Sequence, residues 1–470
     1  MSPPNPSTHD KALAINLHPA QYGTFAEIGA GQEVARWFFQ AGGAAATVAR
    51  SISAYDMAMS TATYGPTARY VSRQRLQAML EHELHLLLTR LDAVRGERST
   101  FFVFANTVAA RSYSHQEDGH GWLGVRFQTR PREAPSDLLI HVRLLDRDNL
   151  REQEALGVLG VNLLYAAFHH AQEPEVLIRS LLDGLTRDRA EVDVLQCAGP
   201  AFAGVDHRLL SLQLVEHRLT DAAMFTVEGE VVQPSEVLYK RPILIERGSF
   251  RPPTNLTLDL LAGALERFRE EPQVQEEPPV VLLEMTLRNL TGERGPDHAD
   301  FLARVDLLRA VGQNVLISNF GRYFRLVDYL AGYTQKPIGI AVGIPTLREI
   351  FDAEYYKDLP GGRLESVGRL FKNVVKVYVY PALDSTSGAA TTAETLAVEP
   401  QFRHLKAFLL ENHYLEPLDN YHQAYLPIVT REVLAKLQRG DPSWQALVPP
   451  RIVQIITQNR LFGYQPTSER

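Results

Sequence analysis

Two arginines bracket a glycine and a serine in Arg247-Gly248-Ser249-Phe250-Arg251, directly after an apolar run and Glu246. Guanidinium groups beside a glycine turn can hold a phosphate, because their planar fork makes charge-assisted hydrogen bonds and glycine lets the backbone approach. Glu246, and Glu284 in "VVLLEMT", end apolar runs as carboxylates placed to bind a metal or accept a proton. Ser318 and Asn319 close a third such run, "NVLISN". A second glycine turn, Gly29 and Gly31 in "FAEIGAGQEVARWFF", separates an apolar run from a helical pattern. Free N–H groups at such a helix start favour an anion, and Asp56 follows at about the spacing of a ribose-binding carboxylate. Gln32 and Glu33 stand where a third glycine would complete that motif, and Glu33 adds negative charge to the first turn.

The elements that would position these residues are legible from periodicity. Leucines at 76, 80, 84, 87, 88 and 91 recur at helical spacing and predict a helix over 73–91. "STFFVFANTV", "SDLLIHVRLL", "EVDVLQCAG" and "RPILIERG" read as strands. Between the last two lies the glycine-bearing "GPAFAGVDHRL", which brings Asp206, His207 and Arg208 to a strand end. Beyond residue 279 the runs "PVVLLEMT", "NVLISN", "KPIGIAVG" and "VVKVYVYP" alternate with helical segments, the pattern of a parallel sheet with covering helices. The fold class is therefore α/β, multi-domain, with largely parallel, Rossmann-like sheets and a helical C-terminal tail. The expected organisation is disorder over 1–12, an α/β domain over 13–270, and an acidic proline-rich linker over 271–279. A second α/β domain over 280–382, a flexible segment over 383–399 and a mainly helical tail over 400–470 complete it.

Composition narrows the function classes. The chain has 470 residues, 45% hydrophobic, which is ample for real cores. A formal charge of -7 argues against a general nucleic-acid binder, since those carry a basic excess. One cysteine, Cys197, permits no internal disulfide. The N-terminal residues lack a basic segment followed by an apolar one, and no apolar run reaches the roughly 20 residues of a membrane helix. The expectation is a cytoplasmic protein without membrane contact. "SHQEDGHGW" gathers His115, Glu117, Asp118 and His120, ligand types for zinc or manganese, but reads as a solvated loop. His82 and His85 in "EHELH" lack the His-Glu-x-x-His spacing of a zinc protease.

The stretch around Gly248 resembles the nucleotidyltransferase family, whose Gly-x-Phe-x-Pro loop joins a strand to a helix and continues into His-x-Gly-His. Gly248, Phe250 and Pro252 match, while Pro253-Thr254-Asn255-Leu256-Thr257 follows without a histidine. "VVLLEMT" and "NVLISN" resemble two motifs of haloacid-dehalogenase-type phosphatases, with Ser318-Asn319 matching the second and Glu284 in place of the nucleophilic aspartate. Taken together, "YGTFAEIGAGQEVARWFF", "GPAFAGVDHRL", "YKRPILIERGSFRP", "VLISN", "LFKNVVKVYVYP" and "GDPSW" resemble one widespread bacterial family. Its members go under two conflicting names, nicotinate-nucleotide adenylyltransferase and TonB-dependent receptor. The second implies a barrel of many alternating strands, which this pattern lacks. The leading expectation is a protein that binds a nucleotide or another phosphorylated metabolite, acting as a nucleotidyltransferase-like transferase. Arg247, Gly248, Ser249 and Arg251 would hold phosphate, Glu246 or Glu284 would serve as base or metal ligand, and magnesium would accompany the nucleotide. The alternatives are a non-catalytic homo-oligomeric scaffold, and an S-adenosylmethionine-dependent methyltransferase built on Gly29 and Gly31.

Overall fold

The computed structural model describes residues 5–465 apart from 112–117, 293–294, 353–355, 357–358, 373 and 385–387. The chain divides into two units, Met1–Asp221 and Ala222–Arg470.

Unit 1 begins with α1 (Thr8–Asn16), β1 (Gln21–Ile28), α2 (Glu33–Ala41), β2 (Val48–Ile52) and α3 (Met57–Tyr64). It continues with α4 (Arg73–Arg95), β3 (Thr100–Ala109), β4 (Gly119–Phe127) and β5 (Ser136–Leu144). α5 (Asn149–His169), α6 (Pro174–Ser180), β6 (Ala190–Ala198) and α7 (His207–Glu216) complete it. The strands form one sheet in the order β2-β1-β3-β4-β5-β6. Only β1 pairs in parallel, with β2 and β3, and the remaining pairs are antiparallel. The connection from β4 to β5 is too short for the crossover that a parallel pair needs, so the chain returns as a hairpin. Phe25, Phe102, Phe104, Leu123 and Ile140 pack with Val34 and Phe38 of α2 and with Leu156, Leu159 and Leu163 of α5. On α4, the predicted leucine stripe is buried at Leu76, Leu80, Leu84 and Leu87.

The segment expected to be disordered up to residue 12 is helical from Thr8. Ser7 and Asp10 form a reciprocal capping box, and the Lys11 ammonium is buried against Asn162 at 2.9 Å and Asp183 at 2.6 Å. A buried charge so paired ties α1 to the body of the unit.

Unit 2 opens with β7 (Ala222–Phe225), β8 (Val231–Val232), α8 (Pro234–Leu238), β9 (Ile243–Arg247) and α9 (Asn255–Arg269). Next come β10 (Val280–Thr286), α10 (Leu287–Leu290), the small hairpin β11 (Thr291–Gly292) and β12 (Gly295–Pro296), and α11 (His298–Ala310). β13 (Asn314–Ser318), α12 (Tyr323–Ala331), β14 (Ile338–Gly343), α13 (Ile344–Phe351), α14 (Gly362–Leu370) and β15 (Val375–Tyr380) follow. The hairpin β16 (Ala382–Leu383) and β17 (Ala390–Thr391) precedes α15 (Arg403–Glu411), β18 (Leu415–Pro417), α16 (Thr430–Arg439) and α17 (Pro450–Asn459).

Eight of these strands form a sheet in the order β18-β15-β14-β9-β10-β13-β7-β8. The six from β18 to β13 are parallel, and β7 and β8 add an antiparallel edge. Numbered along the chain, the parallel six run 3-2-1-4-5-6 from β13 to β18. That is the order of the doubly wound dinucleotide-binding fold, with its direction of growth reversing between β9 and β14.

The division between units falls at Asp221/Ala222 rather than at the acidic segment 271–279. That segment joins α9 to β10, and β10 pairs along its length with β9, so both belong to one sheet. Of the segment expected to be flexible over 383–399, Ala393 and Leu396 are buried in the core cluster that holds Val377 and Leu415, so this part is less free than its composition implies. In the C-terminal region, Val433, Leu437, Ile452 and Ile456 of α16 and α17 pack with Trp444 against Leu307 of α11.

Candidate functional site

β9 sends its last two side chains to opposite faces of the sheet, since side chains alternate along a strand. Arg247 joins the face that carries Ile243 and Ile245. Its guanidinium makes two parallel hydrogen bonds to the fully buried Glu284 carboxylate on β10, at 2.8 and 2.9 Å. Ser318, ending β13, donates its hydroxyl to the same carboxylate. The arginine also lies over the ring of Tyr323, 4.4 Å from its centre. The structure thus brings Arg247, Glu284 and Ser318 together, as strand ends in one sheet must be, but as a closed unit in which each charge is matched. Asn319 follows as an exposed residue.

The loop after β9 is fastened from below. Asn289 donates to the Gly248 carbonyl at 3.3 Å, and Arg304 of α11 donates to the carbonyls of Ser249 and Asn289 at 3.1 and 2.8 Å. Arg251 forms an ion pair at 2.6 Å with Asp300, which also pairs with Arg304. Gly248 is required because the Phe250 ring folds back on it, to within 2.8 Å of where a Cβ would sit. Past the loop, Thr254 and Thr257 form a capping box at the start of α9. Both arginines expected to hold phosphate are therefore committed to carboxylates.

Glu246 enters the opposite face, beneath α9. Its register partners are Leu283 on β10 and Ala341 on β14. The side chain is 94% buried by its 6% residual exposure, and its Oε2 has no hydrogen-bond partner. Burial pushes this carboxyl well above the ordinary carboxylate range, since desolvation penalises the charged form. One rung further along the same face, Gly343 of β14 pairs with Tyr380 of β15. The Tyr380 hydroxyl donates to Asp259 of α9 at 2.6 Å, and the His422 backbone N–H reaches the same carboxylate at 2.9 Å. The His422 ring meets Asp259 through Nδ1 while its side chain is 71% exposed. Asp259, Tyr380 and His422 carry no local motif and lie far apart in sequence, so only the folded sheet and its covering helix assemble them.

In unit 1 the glycine turn is differently occupied. Glu27, at the end of β1, accepts hydrogen bonds from the N–H groups of Val34 at 3.2 Å and Ala35 at 2.9 Å, and from Asn106 at 3.0 Å. The helix N–H groups that an anion would use are taken by this side chain. Gly29 has φ 105°, and a Cβ there would lie 1.8 Å from the Val108 carbonyl oxygen, so this glycine allows β1 and β3 to close up. Gly31 also has positive φ, and Asp56 caps α3 by accepting from Met59 N–H at 3.0 Å. Asp206 likewise caps α7 and pairs with Arg208. His115 and Glu117 lie outside the described residues, and Asp118 pairs with Arg111 at 2.6 Å. Among the described residues no three His, Cys, Asp or Glu side chains converge in a metal-holding group.

No known protein family model matches the chain, and no curated protein matches it. Among solved structures, a competence/damage inducible protein from Agrobacterium tumefaciens aligns at 17% identity over 35% of this chain and 98% of its own, with a TM-score of 0.26. A competence-damaged superfamily protein from Klebsiella pneumoniae aligns at 14% identity over 35% of this chain and 99% of its own, with a TM-score of 0.26. Nicotinic acid mononucleotide adenylyltransferase from Plasmodium falciparum, complexed with APC, aligns at 12% identity over 48% of this chain and 98% of its own, with a TM-score of 0.30. At these scores the likenesses carry no functional argument. Among the described residues no helix is long and apolar enough to cross a membrane.

Proposed function

We propose that unit 2 binds a nucleotide or another phosphorylated metabolite at the carboxyl ends of β9 and β14. The observation that carries this reading is the 3-2-1-4-5-6 strand order, which reverses between those two strands. In open α/β sheets, the helices on either side of such a reversal diverge and leave a crevice there. Two local features support it. α13 starts at this point with Gly343 as its N-cap and no side-chain cap, so its N-terminal dipole is open to an anion. Glu246, at the tip of β9, has a sealed carboxyl oxygen without a partner. In this reading the phosphate meets backbone N–H groups, because Arg247 and Arg251 would first have to leave Glu284 and Asp300. Titration calorimetry with ATP, NAD and nicotinate mononucleotide, each with magnesium, tests it. Binding of at least one ligand is expected, and silence from all three at millimolar concentration would sink the reading.

A non-catalytic homo-oligomeric scaffold is the second reading. The closed Arg247–Glu284–Ser318 unit favours it, since a matched ion pair holds a fold without offering a reactive group. Light scattering is the check, and a strict monomer would count against it.

A further inference from the structure

The unexplained group in the crevice is Glu246, a nearly buried carboxyl with one sealed, unpartnered oxygen. Such an atom costs free energy unless something bonds it, so its persistence marks a place where a bound molecule can supply the missing partner. The floor beside it is built of small residues, of which Ala341 is buried at 1% exposure and Gly343 is half-buried. On the α9 face of β14 the residues next to Glu246 are only Ala341 and Gly343, and a Cβ built on Gly343 would meet nothing but Pro345 Cδ, at 3.5 Å. The far wall is Tyr380, whose Cα lies about 12 Å from that of Glu246, by two strand spacings and one two-residue step. Beside Tyr380 stand the rings of Tyr421 at 5.8 Å, and of His422 and Tyr425 at 5.2 Å from each other. All three are partly or fully exposed, and flat rings of this kind stack on heterocycles.

We propose that this face of the crevice takes a nucleobase, held by an edge that carries a hydrogen-bond donor beside an acceptor, with the Glu246 carboxyl as its partner. A protonated carboxyl offers one O–H donor and one carbonyl acceptor side by side, whereas a carboxylate only accepts. Burial favours the protonated form of Glu246, in which the carboxyl matches amide-like and amidine-like base edges, since these set a donor beside an acceptor. The inference rests on the reading of unit 2 given above, and it names the part of the ligand that the α9 face would recognise.

The test uses the full chain and calorimetry with AMP, GMP, CMP, UMP and nicotinamide mononucleotide, each compared with ribose 5-phosphate. At least one base-bearing ligand should bind about tenfold or more tighter than ribose 5-phosphate, the worth of one good bidentate contact. Glu246→Gln keeps a donor beside an acceptor and should retain that gain, while Glu246→Met keeps the volume and should lose it. Equal affinity for ribose 5-phosphate and every base-bearing ligand overturns the base inference and leaves phosphorylated-metabolite binding standing. A gain that survives in Glu246→Met overturns the role of Glu246. No binding by any of the six removes both this inference and the reading beneath it. Should Glu246→Met not fold, Glu246→Leu takes its place, and loss or survival of the gain is read in the same way.

Discussion

Two strand ends in this chain are written alike: Glu27-Ile28-Gly29 closing β1 and Glu246-Arg247-Gly248 closing β9, each leading into a helix. They are used in opposite ways. In unit 1 the glutamate turns onto the start of its own helix and takes two N–H groups and the Asn106 amide. The turn is chemically complete. In unit 2 the helix start is capped by Thr254 instead, and Glu246 is left under α9 with an unpartnered oxygen. The difference lies in the neighbours rather than in the motif. A short turn lets Glu27 reach α2, whereas the fastened loop 248–253 carries α9 away to its own cap.

Substitutions that break this contrast should differ widely in effect. The largest belongs to the closed turn. Gly29→Ala forces a Cβ onto the Val108 carbonyl at positive φ and should cost about 4 kcal/mol or more, read from denaturant unfolding. Close behind, Arg247→Leu strands the buried Glu284 charge and should cost about 3 to 5 kcal/mol by the same measurement.

The pH dependence comes next. Desolvation raises the Glu27 carboxyl from 4.5 to about 7, against the lowering effect of its hydrogen bonds, a difference worth about 3 kcal/mol. The folded state keeps this proton to higher pH than the unfolded chain. Its contribution to stability is therefore full below about 4.5, falls as pH rises to about 7, and is flat beyond. Thermal melts across that window should show the fall, and Glu27→Gln, with no proton to lose, should flatten it.

At the open turn the effects are small. Glu246→Met removes an unsatisfied buried carboxyl and should leave stability unchanged or raise it by about 1 kcal/mol. Gly343→Ala meets only Pro345 at ordinary contact distance and should change stability by less than about 0.5 kcal/mol. A loss of several kcal/mol in either variant would mean that unit 2 is as closed as unit 1.

Much of the architecture was readable in advance. The leucine stripe of α4, the four apolar runs of unit 2 and the helices between them follow from side-chain period alone, because burial on one face requires it. The grouping of Arg247, Glu284 and Ser318 was also foreseeable, since parallel strands bring their carboxyl ends to one edge. That Arg247 and Arg251 would be consumed by Glu284 and Asp300 was not, because pairing depends on which strands and helices become neighbours. The same holds for Glu27, whose partners include Asn106 on another strand, and for the boundary at Asp221/Ala222. An acidic, proline-bearing stretch reads as a linker, yet 271–279 only returns the chain from α9 to a strand of the same sheet. Local pattern marked many of the strands and helices, though not α1 or β4, and the residues that stand at their ends. The tertiary structure alone decided strand order, and with it which of two equally written glutamates is satisfied and which is left open.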